Sequence, residues 1–149
     1  MTSITRARTF SVPVSAVWEV LGDFGAISSW APNVDHSCLL EHAGGPTGTG
    51  TTRRVQAGRN ALVERITESS PPHVLAYEIE GLPRRLGRVA NRWVLAASGP
   101  TTRVTLTSTV QIADNPVARA AEHVVCRAMA RQSDAMLDGL AQRVESSRV

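Results

Sequence analysis

Residues 115–146 read as one uninterrupted helix, and a helix of that length needs a surface to lie on. A step of about 3.6 residues from Ala118 meets Ala121, Val125, Met129, Gln132, Met136, Leu140 and then Arg143 or Val144, a mostly apolar stripe. Arg119, Arg127, Arg131, Asp134, Asp138 and Gln142 fall largely off it. Asp114 and Asn115 supply cap residues, and Pro116 suits a first helical turn. Met129, Met136 and the alanines make the stripe soft and low in relief, so space can remain beneath it.

Everything before this helix has the pattern of a sheet. Residues 3–12 alternate, with Ile4, Arg6, Arg8 and Phe10 against Thr5, Ala7, Thr9 and Ser11, and Pro13 ends the run. A short helix follows to Phe24, capped by Ser15 or its neighbour, with Val14, Val17, Trp18 and Leu21 on one face. Gly22 and Gly25 break it, and residues 26–30 allow a second short helical turn before Pro32 forces extension. Six further strands are expected at residues 34–41, 50–57, 61–68, 73–80, 85–97 and 101–112. Turn signals separate them: Gly58-Arg59-Asn60, Ser69-Ser70-Pro71-Pro72, Gly81-Leu82-Pro83 and Ser98-Gly99-Pro100. Short strands joined by hairpins make an antiparallel meander, so the fold class is α+β and the chain, residues 1–149, is one domain.

Alternation also assigns faces. Leu62, Glu64 and Ile66 share one side of the fourth strand, and Leu75, Tyr77 and Ile79 one side of the fifth. Val89, Asn91, Trp93 and Leu95 follow on the sixth, and Val104, Leu106, Ser108 and Val110 on the seventh. These are the sides that the long helix covers. The opposite sides carry Arg65, Glu78, Glu80, Arg84, Arg88, Arg92, Arg103, Thr105 and Thr107, which belong in water.

A carboxylate between Leu62 and Ile66 must find a partner or stay protonated. Arg53, inward with Val55 on the third strand, is the candidate partner. Such a pair can bind a carboxylate, carbonyl or hydroxyl of a ligand, or it can be a structural ion pair closing a cavity floor. Glu64 as a catalytic acid or base is a third reading. Tyr77, Asn91 and Ser108 can position polar atoms of a ligand, or bond to one another. Trp30 and Trp93 can line the cavity, while Trp18 suits core packing.

Composition removes other classes. The net charge is only +3, all 16 basic residues are arginine, aromatics are 4% of the chain, and no nucleic-acid motif is present; nucleic acid is therefore not an expected partner. Arginine in place of every lysine hints at a GC-rich bacterial genome. No apolar run approaches a membrane span, and residues 1–10, interrupted by Arg6 and Arg8, are no signal peptide, so a cytoplasmic protein is expected. Cys38 and Cys126 are expected as free buried thiols. His36, His42, His73 and His123 lack metal spacing, so neither a metal nor another cofactor is expected. His36 can face the cavity. Gly44-Gly45-Pro46-Thr47-Gly48-Thr49-Gly50 precedes no helix and so is not read as a phosphate cradle.

Nearly the whole chain resembles the START/Bet v 1-like (SRPBCC) superfamily and, within it, the bacterial polyketide cyclase/dehydrase-type group. The resemblance rests on Val17-Trp18-Glu19-Val20-Leu21-Gly22-Asp23-Phe24, Trp30-Ala31-Pro32-Asn33-Val34, Gly48-Thr49-Gly50-Thr51-Thr52-Arg53, Glu64-Arg65-Ile66-Thr67 and Tyr77-Glu78-Ile79. It implies a helix-grip fold, a seven-stranded curved sheet around the long C-terminal helix, with an apolar ligand held between them. It also implies that the segment with Leu82 and Leu86 closes over the ligand, with Arg85 at the mouth, like the gating loop of abscisic-acid receptors; an ordinary hairpin is the alternative. The expected ligand-binding residues are then Glu64, Arg53, Tyr77, Asn91, Trp93, Ser108, Trp30, Leu82, Met129 and Met136. A carrier or sensor of a lipid or polyketide-like molecule is the leading expectation. A cyclase or dehydratase moving protons through Glu64, Tyr77 or His36 is the alternative, and an interaction protein, as a homodimer with a vestigial cavity, is the third.

Overall fold

The computed structural model describes residues 2–42, 47–80, 87–111 and 116–146; along the last helix it describes side chains at Val124 and from Arg127 onward. Seven strands, β1 (Thr2–Phe10), β2 (His36–Glu41), β3 (Thr52–Ala57), β4 (Asn60–Ser70), β5 (Val74–Glu80), β6 (Arg88–Ser98) and β7 (Thr101–Gln111), form one sheet in the order β1-β7-β6-β5-β4-β3-β2. Every pairing is antiparallel. Helix α1 (Val14–Leu21) and a 3-10 helix (Phe24–Ser29) follow β1, and α2 (Pro116–Ser146) closes the chain. This is the helix-grip arrangement. Register shifts between Leu39 and Glu41 and between Ile66 and Glu68 put extra residues into β2 and β4, the local irregularity that bends a sheet around its contents.

Several boundaries differ from expectation. β2 begins at His36 rather than Val34, β3 at Thr52 rather than Gly50, and β4 runs on to Ser70. The N-cap of α1 is Pro13, without a side-chain cap bond, and not Ser15. Cys38, expected as a buried thiol, is exposed, and His36, a candidate for facing the cavity, is exposed too. The phase of β2 is set by its neighbours. The Ser37 hydroxyl donates to the Gly25 carbonyl at 2.8 Å, and a Cβ on Gly25 would lie 2.7 Å from Leu39 Cγ. Ser37 and Leu39 therefore face the 3-10 helix, and alternation turns His36 and Cys38 outward. The expected caps Asp114 and Asn115, the segment 81–86 and the side chain of Cys126 lie outside the described residues.

The core fills the sheet's concave side. Phe10, Ile66, Leu75, Tyr77, Trp93, Leu95, Val104 and Leu106 meet Val17, Leu21, Phe24 and Ile27 from the short helices. α2 contributes Ser133, Met136, Leu137, Leu140, Ala141 and Val144 as its buried stripe. Gln132, expected on that stripe, is exposed; Ser133 takes the inner position. The roll of the helix buries Met136, Leu140 and Val144 as expected and widens the buried face to Ser133, Leu137 and Ala141.

Two kinds of contact fix that roll. A Cβ on Gly139 would strike the Trp30 carbonyl oxygen and sit 2.7 Å from Pro32 Cδ, so the absent side chain lets α2 seat against the turn after the 3-10 helix. Along the flank, Arg6 pairs with Asp134 at 3.4 Å and Arg8 with Asp138, and Glu145 accepts the Ser11 backbone N–H at 3.1 Å. The ion pairs are half exposed and weak individually, below about 1 kcal/mol each. Buried Leu140 and Val144 contribute more, roughly 1.5–3 kcal/mol each, so the C-terminal half of α2 is held by packing and oriented by charge.

Candidate functional site

The concave side carries two polar clusters. The first is built on the β3–β4 hairpin. Its two-residue turn pairs Ala57 with Asn60, which places Arg53 directly opposite Glu64. Arg53 Nε donates to Glu64 Oε1 at 2.7 Å, and Nη1 to the Phe24 carbonyl at 2.9 Å. Nη2 lies 2.7 Å from the same Glu64 oxygen, near enough for the charges but badly aimed for a hydrogen bond. The guanidinium carbon stands 3.8 Å from the centre of the Phe24 ring and 4.6 Å from that of Tyr77. With Arg53 only 2% exposed and Glu64 6%, this cation has a counter-ion, a carbonyl and two aromatic faces.

Tyr77 extends the cluster. Its hydroxyl accepts Trp93 Nε1–H at 3.2 Å, and its ring meets Phe24 edge-on at 5.6 Å. Trp30 in turn meets Trp93 edge-on at 6.0 Å. Burial, reinforced by the Glu64 charge, pushes the Tyr77 phenol above its ordinary pKa; Arg53 and the Trp93 hydrogen bond only partly offset this. Tyr77 is therefore a neutral group at physiological pH.

The second cluster lies nearer α2. Tyr77 on β5, Asn91 on β6 and Ser108 on β7 are successive partners across the sheet. Ser108 Oγ donates to Asn91 Oδ1 at 2.6 Å. Its one hydrogen is thereby used, so in the 3.2 Å contact between Ser108 and Ser133 the helix serine must donate. The chain runs one way, Ser133 to Ser108 to Asn91. It leaves both N–H donors of Asn91 Nδ2 unspent among the described residues. Beside it is a cavity of about 50 Å³ between sheet and α2, lined by these three residues with Gln132, Ile79, Val89, Met129 and Met136.

The expected site residues thus fall into two groups. Asn91, Ser108, Met129 and Met136 line the cavity, whereas Arg53, Glu64, Tyr77, Trp93 and Trp30 pack together beside it. Leu82 lies outside the described residues. Ser133 was not foreseen. Its signal is its spacing, four residues after Met129 and three before Met136, which puts it on their face. A larger cleft of about 530 Å³ opens on the outer surface between α1 and the end of α2, with Glu19, Asp23 and Arg143 in its wall. It stands outside the grip and shares no residue with either cluster.

The family described as polyketide cyclase/dehydrase and lipid transport matches residues 1–145. The chain belongs to that family. Solved structures agree on the fold of this family member. It is similar to the Zhui aromatase/cyclase of Streptomyces sp. R1128, with a TM-score of 0.80 at 20% identity, covering 97% of this chain and 93% of that one. A Thermobifida fusca protein matches with a TM-score of 0.72 at 25% identity, over 97% of this chain and 93% of that one. Ara h 8.0201 matches with a TM-score of 0.72 at 19% identity, over 97% and 93%. No curated protein matches this family member in sequence. Among its described residues no helix is long and apolar enough to cross a membrane.

Proposed function

We propose that this protein binds a small, mostly apolar molecule between its sheet and α2, as a carrier or sensor. The observation that carries the reading is the interior cavity, where methionines and aliphatic side chains surround one short hydrogen-bonded chain. That is the composition of a ligand site: apolar walls with a few converging polar groups. At about 50 Å³ it holds roughly one or two waters, so a ligand must enlarge it. Met129 and Met136 form its helix side, and flexible thioethers yield to a guest at low cost. The ties of α2 to Trp30, Arg6, Arg8 and Ser11 hold the helix from Asp134 onward. Burying roughly 300 Å² of apolar ligand surface at ~25 cal/mol per Å² is worth about 7–8 kcal/mol before ordering costs, enough for useful affinity without covalent chemistry.

The first cluster fits a structural role. Arg53 is paired with Glu64 and held by the Phe24 carbonyl and two ring faces, and Tyr77 is held neutral. A cyclase or dehydratase needs a group that gives or takes protons at the substrate. None of these three is set up to do so. Native mass spectrometry of the protein purified from its own host tests the reading. A co-purified apolar molecule, released when Ser133→Met fills the cavity, supports it. A single mass equal to that of the bare chain, with no apolar compound stabilising the protein against heat, overturns it.

A further inference from the structure

Resting on the ligand-binding reading, we infer that the cavity selects an electrically neutral ligand whose buried polar group is a hydrogen-bond acceptor, such as a ketone or ester carbonyl, and rejects ionised carboxylates. Three observations lead there. First, among the described residues the lining contains no ionisable side chain: its polar members are two serines, an asparagine and a glutamine. Second, the nearby buried cation is unavailable. Arg53 faces Glu64, the Phe24 carbonyl and two ring faces, and pulling it toward a ligand would strip Glu64 of its counter-ion. Third, the direction of the Ser133–Ser108–Asn91 chain leaves the Asn91 amide N–H groups as the unspent donors. They are neutral and match a carbonyl oxygen.

Electrostatics decides the sign of the preference. A carboxylate entering this cavity loses its hydration and meets amide dipoles in place of a cation. Glu64 adds to the cost, because it is the cross-strand partner of Ile79, itself a lining residue. Its charge is balanced by Arg53, so a second anion close by has nothing left to pair with. A ketone loses far less on leaving water and recovers it in one amide hydrogen bond.

Two compounds of equal chain length test this: methyl octyl ketone and decanoate, near neutral pH where decanoate is ionised. Binding is followed through tryptophan fluorescence and calorimetry on the intact protein, and on Gln132→Arg. Gln132 is an exposed lining residue, so this change adds a cation at the edge of the cavity with little risk to the core. The expected result is that the ketone binds at least about tenfold tighter than decanoate, and that Gln132→Arg narrows or reverses the ratio. Decanoate binding as tightly as the ketone to the unaltered protein overturns the selectivity while leaving the ligand-binding reading intact. A ratio unchanged in Gln132→Arg overturns the assignment of selectivity to this cavity. If neither compound binds and the host-purified protein carries no small molecule, the ligand-binding reading falls and the selectivity falls with it.

Discussion

Arg53 and Glu64 face each other across the β3–β4 hairpin, with Nε 2.7 Å from Oε1 and almost no access to water. The pair bridges strands, and through the Phe24 carbonyl it also anchors the 3-10 helix to the sheet. Removing one member strands a buried charge. Arg53→Met and Glu64→Leu are each expected to destabilise the fold by roughly 3–5 kcal/mol. The double change Arg53→Met with Glu64→Leu is expected to recover most of the loss. Chemical denaturation of the four proteins measures this. A double variant as unstable as the sum of the two singles would show that the pair does more than balance itself.

If Glu64 is structural, Glu64→Gln leaves ligand affinity within about twofold once the protein is folded. A tenfold loss of affinity, with stability barely altered, would return Glu64 to the ligand site. Calorimetric titration of the folded variant with methyl octyl ketone decides between the two.

At Gly139 α2 packs directly against the Trp30 carbonyl and Pro32. Alanine ordinarily favours a helix by about 1 kcal/mol over glycine. Here the added methyl meets the Trp30 carbonyl, a backbone atom that cannot swing away. Gly139→Ala is expected to cost roughly 1–3 kcal/mol net and to lower Tm by several degrees. A raised Tm would mean that α2 is not seated against Trp30.

Tyr77 is the chain's single tyrosine, so tyrosinate absorbance reports on it alone. Its folded pKa is raised by burial, so the native state prefers the neutral phenol. The resulting stability is fully present below the unfolded pKa of about 10 and is lost as pH rises through the folded value. Tyrosinate absorbance is therefore expected to appear together with unfolding, later than in the denatured chain. Ionisation at the ordinary pKa with the fold intact would contradict the burial.

Ser133→Met should fill the interior space that Ser108 and Asn91 now share with α2. Thermal stability is expected to stay within about 1 kcal/mol of the parent, because lost hydrogen bonding is offset by packing. Affinity for methyl octyl ketone is expected to fall at least about tenfold. Unchanged affinity would place the ligand elsewhere.

Much of this architecture follows from local sequence alone. Period-two alternation assigns Leu62, Glu64, Ile66, Leu75, Tyr77, Asn91, Trp93 and Ser108 to one side of the sheet, and period 3.6 marks the helix that covers them. Arg53 and Glu64 are legible as inward polar residues on neighbouring strands, but their direct register comes from the two-residue turn at Gly58 and Arg59, one residue shorter than expected. These relations depend only on residues close in sequence, or joined by one hairpin. What tertiary structure alone decided is non-local. Contact of Ser37 and Leu39 with the 3-10 helix set the phase of β2 and so turned His36 outward. The approach at Gly139 and the ties to Arg6 and Arg8 set the roll of α2, bringing Ser133 inward in place of Gln132. Arg53 contacts Phe24 and Tyr77 as well as Glu64 because an insert some thirty residues upstream folds back over it. Periodicity tells a side chain which way to face; how much room it finds there is set by elements far away in the chain.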